Sequence, residues 1–86
     1  MIYQILTTSR FDKELLRLDV RYRQKIENAI EDLATNPLLG KKLNDNLKKY
    51  RSIREGVYRI IYEVKKDKLI ILVVSVQHRQ GVYKKV

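Results

Sequence analysis

The hydrophobic pattern of this chain passes from a helical period to a period of two near residue 50, and that change limits the folds open to it. Between residues 10 and 35 apolar side chains recur at spacings of three and four: Phe11, Leu15 and Leu18, then Tyr22, Ile26, Ala29, Ile30 and Leu33. Such spacing puts each set on one stripe of a helix. From residue 50 the period becomes two, in "YRSIRE" (50–55), "VYRIIYEV" (57–64) and "KLIILVVSVQ" (68–77), as strands require. A short stretch before the helices, "IYQILT" (2–7), carries Ile2, Gln4 and Leu6 on alternate positions and reads as a first strand. Thr8 or Ser9 caps the first helix, and Asn36-Pro37 ends the second. Only Asp19 or its neighbours turn the chain between them, so the helices form an antiparallel hairpin. The expected order is strand, helix, helix, strand, strand, strand. This is an α+β domain with a mostly antiparallel four-stranded sheet and the helix hairpin on one face.

Eighty-six residues make one domain, 1–86, and exclude two. "PLLGKKLNDNLKKY" (37–50) reads as a loop, with Leu38, Leu39, Leu43 and Leu47 available to pin it to the core. Tight turns are expected at Glu55-Gly56 and at Lys65 to Asp67. The last strand is apolar on both faces, which implies a position inside the sheet.

Cysteine is absent, so disulfides, thiolate metal sites and cysteine nucleophiles are excluded; with a single histidine, no metal site and no cofactor are expected. The first residues lack the basic start and apolar core of a signal peptide, and the longest apolar run is too short to span a membrane. The expected location is the cytoplasm. Nineteen Lys plus Arg stand against ten Asp plus Glu, a net charge of +9. Residues 1–48 hold nine basic and seven acidic side chains, net +2; residues 49–86 hold ten and three, net +7. A positive field concentrated in one half suits a polyanion, most often nucleic acid, or an acidic protein.

In "VYRIIYEV", Tyr58, Ile60, Tyr62 and Val64 share the side that suits the helices, which leaves Arg59 on the other. Around Arg59 the sequence is basic: Arg51 and Arg54 on the preceding strand, His78 and Arg79 at the end of the following one, and Tyr83 beyond Gly81. Guanidinium groups offer paired donors to phosphate oxygens, and an aromatic ring stacks on a base. Lys41-Lys42, Lys48-Lys49 and Lys84-Lys85 are most simply solvated; where Lys49 or Lys84 meet RNA, they meet phosphates without reading sequence. Each residue also has a plainer reading. In it Arg59 is an exposed strand arginine, His78 a hydrogen-bonding residue at the sheet edge, and Tyr83 a core tyrosine docking the tail.

"YRSIREGVYRIIYEV" and "LIILVVSVQHRQGVY", with the helix hairpin before them, resemble the RelE/ParE toxin superfamily over nearly the whole chain. There an arginine lies in a "YRxxY" strand, and a later strand ends in "HR" or "KR" followed by "VY". The resemblance implies the toxin of a type II toxin-antitoxin pair, neutralised by an acidic antitoxin. A RelE-like member enters the ribosomal A site and cuts mRNA without a metal; a ParE-like member inhibits DNA gyrase and is not a nuclease. By matched position the catalytic residues are Arg59, Arg79 and Tyr83, with Arg51 and Arg54 filling the basic strand before them. His78, with an ordinary pKa near neutrality, is a further candidate base, and Arg51, Arg54, Lys49 and Lys84 are the residues expected to hold RNA. Here arginines stand where relatives often carry lysines, and the chain stops three residues after Tyr83. A gyrase inhibitor and a non-catalytic RNA-binding module remain the alternatives.

Overall fold

A computed structural model of the protein describes residues 2–43 and 49–78. The elements run β1 (Gln4–Thr7), α1 (Ser9–Leu16), α2 (Val20–Thr35), β2 (Lys41–Lys42), β3 (Tyr50–Glu55), β4 (Tyr58–Lys65) and β5 (Ile70–His78). Thr8 caps α1 by accepting the Phe11 N–H at 3.1 Å, and Asp19 caps α2 by accepting the Arg21 N–H at 2.9 Å. That backbone N–H, followed by the Arg21 guanidinium, holds the Asp19 carboxyl below its ordinary value. No helix among the described residues is long and apolar enough to cross a membrane.

The sheet order is β1-β5-β4-β3-β2, with β1 parallel to β5 and every other pair antiparallel. Among the described residues it has five strands, one more than the sequence pattern indicated. The extra strand is β2, whose two lysines lie in the stretch read as loop and pair with Arg51 and Ser52. Two residues are too few to show a period, so no pattern announced it. β5 lies inside the sheet, as its two-sided apolar character requires.

Both helices cover one face. Phe11 of α1 and Ile26, Ile30 and Leu33 of α2 are buried against Ile60, Tyr62, Ile71, Val73 and Val76. The β4–β5 register slips at one point: Ile61 pairs with Ser75 but Tyr62 pairs with Val73, which leaves Val74 as an extra residue in β5. A bulge of this kind interrupts ladder hydrogen bonds, and α1 supplies partners there. Thr8 Oγ1 donates to the Val74 carbonyl at 2.9 Å. Glu14 Oε1 accepts from Ser75 Oγ at 2.8 Å and from the Val76 N–H at 3.0 Å. Helix α1 thereby fixes β5 just before its end at His78.

Candidate nucleic-acid interface

Side chains of directly paired strand residues project from the same face. Arg54 pairs with Arg59, and Arg59 with Gln77, so the two arginines stand side by side on the face away from the helices. Gly56, at φ +62°, supplies the left-handed residue that turns β3 back into β4 beside them. Like charges directly opposite one another destabilise a hairpin. The ion pairs among the described residues lie elsewhere, at Arg10–Glu14 and Arg21–Asp19. Two uncompensated guanidinium groups thus share one end of the hairpin.

Among the described residues, three other expected site residues, His78, Arg51 and Lys49, stand apart from this pair. His78 pairs with Tyr58, so it shares the helix-side face and not that of Arg59. Its ring meets the Tyr58 ring edge-on at 5.4 Å between centroids, and Tyr58 meets Tyr22 of α2 at 5.4 Å in the same manner. The expectation that His78 joins Arg59 is corrected by this register. A bulge reverses which residues share a face, and strand alternation read from the sequence does not reveal one.

Arg51 is also displaced from the expected cluster. It pairs with Tyr62 on the helix side, and its Nη1 donates to the Gly40 carbonyl at 2.7 Å. The buried Tyr62 hydroxyl accepts the Gly40 N–H at 2.9 Å and donates to the Pro37 carbonyl at 2.9 Å. A Cβ on residue 40 would stand 2.6 Å from that hydroxyl oxygen, so only glycine fits. Burial pushes the Tyr62 phenol up from its ordinary value, against the opposing pull of the Gly40 N–H and Arg51. Arg51 is thus bound into the anchor of the 36–43 segment. Lys49 lies toward the other end of β3, its ammonium 5.2 Å from the Tyr50 ring centroid. Arg79, Tyr83 and Lys84 lie outside the described residues.

The Gly40 anchor shapes a cleft. β2 pairs β3 only at Arg51 and Ser52, so among the described residues no strand covers the outer edge of residues 53–55. An open cleft of about 810 Å³ occupies that edge, and Lys25 and Asp32 of α2, Lys41 and Lys42 of β2, and Arg54 and Arg59 all line it. Sequence reasoning left Lys41 and Lys42 as solvated charge and did not single out Lys25. The available signal was Gly40 directly before two lysines, since lysine is the residue that guards an edge strand against further pairing.

The comparison with protein families decides what kind of protein carries this site. The family described as the ParE toxin of type II toxin-antitoxin systems, parDE, matches residues 5–83. The chain belongs to the RelE/ParE toxin family. Toxin RelG of Mycobacterium tuberculosis (strain ATCC 25618 / H37Rv) is 30% identical over 87 residues, covering 99% of this toxin and 100% of RelG. The toxin also resembles a chain of the M. tuberculosis RelBE2 toxin-antitoxin complex, with a TM-score of 0.84, 30% identity, and 92% of this chain and 100% of that one covered. The isolated E. coli RelE toxin shares the fold, with a TM-score of 0.77 at 22% identity over 96% of this chain and 93% of that one.

Proposed function

We propose that this toxin is a ribosome-dependent endoribonuclease that cuts mRNA in the A site. The observation that carries this reading is the facing pair of Arg54 and Arg59, which forms no ion pair among the described residues, at the end of the hairpin beside which β5 reaches His78. The next residue in the chain is Arg79. In the reaction, the 2'-hydroxyl oxygen bonds to the adjacent phosphorus as the bond from phosphorus to the 5'-oxygen breaks. The products are a cyclic 2',3'-phosphate and a free 5'-hydroxyl. Arg59 and Arg79 stabilise charge growing on the phosphate oxygens, the electrostatic contribution that usually dominates such catalysis.

Because His78 pairs with Tyr58 and so lies on the opposite face from Arg59, the role of taking the 2'-proton falls to Tyr83. The leaving 5'-oxygen takes a proton from water while Arg79 steadies its charge. Arg54 holds the flanking phosphate. The ribosome orients the message, and orientation alone supplies much of the lowering of the barrier. The toxin works in the cytoplasm, where an acidic antitoxin wraps its basic surface; the RelBE2 relative is itself a toxin-antitoxin complex.

The family description as ParE favours a second reading, inhibition of DNA gyrase. Primer extension on mRNA from an in vitro translation reaction separates the two. The nuclease leaves cuts within A-site codons, and Arg79→Ala abolishes them while ribosome binding persists. Intact messages together with blocked supercoiling would transfer the assignment to gyrase. A protein that binds ribosomes but neither cuts nor blocks gyrase is the RNA-binding module.

A further inference from the structure

We propose that the cleft beside β3 is a second phosphate-binding track, in which Lys25, Lys41 and Lys42 grip an RNA backbone as it leaves Arg54 and Arg59. The inference rests on the reading of this toxin as RNA-directed, and it extends the site to residues that the family motifs do not contain.

Three observations converge on it. First, five cations, Lys25, Lys41, Lys42, Arg54 and Arg59, line one cleft against two carboxylates, Asp32 and Glu55. Among the described residues no ion pair joins these cations to either carboxylate. Second, Lys25, Lys41, Lys42 and Arg54 are exposed, so their charge is available to a ligand without breaking an internal contact. Third, the two lysines of β2 are held in place: their segment is anchored at Gly40 by Tyr62 and Arg51. Lysines on a fixed strand lose less freedom on binding than lysines on a loose loop.

The chemistry suits a phosphodiester chain. Lysine ammonium groups are point charges that neutralise phosphates without reading bases, whereas the arginine fork at Arg54 and Arg59 favours planar, paired donation. The cleft runs from that fork to the lysines, so one strand can contact both. An acidic protein segment is the competing occupant. The excess of unpaired cations and the continuity with the arginine fork favour RNA.

Salt dependence tests this directly, because each lost phosphate contact makes the plot of log affinity against log salt shallower by about 0.7 on single strands. The variant Lys25→Gln/Lys41→Gln/Lys42→Gln and the control Lys65→Gln/Lys66→Gln/Lys68→Gln remove the same charge. The control lies at the β4–β5 turn, at the opposite end of the sheet from Arg59. Affinity for an oligouridylate, for vacant bacterial ribosomes and for ribosomes carrying mRNA is measured between about 50 and 200 mM salt.

The cleft variant is expected to lower the oligouridylate slope by about 2, and the control to leave it nearly unchanged. A change on vacant ribosomes assigns the strand to ribosomal RNA, and a change only on programmed ribosomes assigns it to the message; either supports the track. Equal losses in both variants would reduce the effect to net charge and overturn it. An unchanged slope in the cleft variant would overturn it too, and would leave the cleft to a protein segment. Should the triple variant fail to fold, Lys41→Gln and Lys42→Gln singly are each expected to lower the slope by about 0.7. Binding is read here and not cutting, so a wild-type toxin that leaves messages intact refutes the nuclease reading while the slope still decides the cleft.

Discussion

Arg51 and Arg54 stand on the same strand, and their surroundings differ completely. Arg51 is bonded to the Gly40 carbonyl on the helix-side face, next to a Tyr62 hydroxyl that both donates and accepts. Arg54 faces Arg59 on the other side of the sheet. An odd separation along a strand sends two side chains to opposite faces, so identical chemistry meets a hydrogen-bonded interior in one case and an uncompensated like charge in the other. Arg51 is satisfied within the fold. Arg54 forms no ion pair among the described residues and faces a like charge, at some expense in stability.

The sharpest way to break this contrast is Arg59→Ala. Losing one charge-stabilising donor is expected to lower A-site cleavage by about 10² to 10³-fold, with the urea midpoint unchanged or raised. A large fall in stability instead would show that Arg59 belongs with the structural arginines. Glu14→Ala comes next, because it strands the buried Ser75 hydroxyl and the Val76 N–H at the β5 bulge. Roughly 2 to 3 kcal/mol of folding stability should be lost. Glu14→Gln, which keeps an acceptor oxygen, should recover most of it in the same denaturation series.

Tyr62→Phe removes one donor and one acceptor from the Gly40 anchor, a loss of about 1 to 2 kcal/mol by denaturation. It also carries a pH signature. The Tyr62 phenol is raised in the folded state, so the unfolded chain releases that proton first. Its contribution is full below the unfolded value of about 10 and is lost as pH rises through the higher folded value. Wild-type stability should therefore fall more steeply above about pH 10 than that of the variant. The smallest expected effect is Arg54→Gln, which relieves the cross-strand repulsion and should stabilise the hairpin by about 0.2 to 1 kcal/mol while weakening RNA binding. A destabilised Arg54→Gln would mean that Arg54 has a structural partner after all.

Much of the architecture was legible because it is periodic. The span 20–35 of α2, the bounds 50–55 of β3 and the helix-side set Tyr58, Ile60, Tyr62 and Val64 follow from spacing and caps, and the structure has them there. The site was legible only in part. Arg54 and Arg59 come together as expected, because two strands joined by a tight turn have their register set by that turn. His78 does not join them, because the bulge at Val74 shifts the last residues of β5. Arg51 does not, because its odd separation from Arg54 puts it on the Tyr62 face, a count that strand alternation already allowed. Lys25, Lys41 and Lys42 enter the cleft from elements far apart in the sequence, which no local pattern connects.

By itself the sequence determined both helices and every strand but β2, which stripe of each helix is apolar, and that the positive charge accumulates after residue 48. These follow from local preferences and from the need to remove apolar surface from water. Tertiary structure alone decided that a two-residue strand closes the sheet edge, that Glu14 holds a bulge in β5, and that three lysines from α2 and β2 meet two arginines in one cleft. Those outcomes depend on register and on where chain segments meet, and both are settled by packing between residues too distant in the sequence to signal one another.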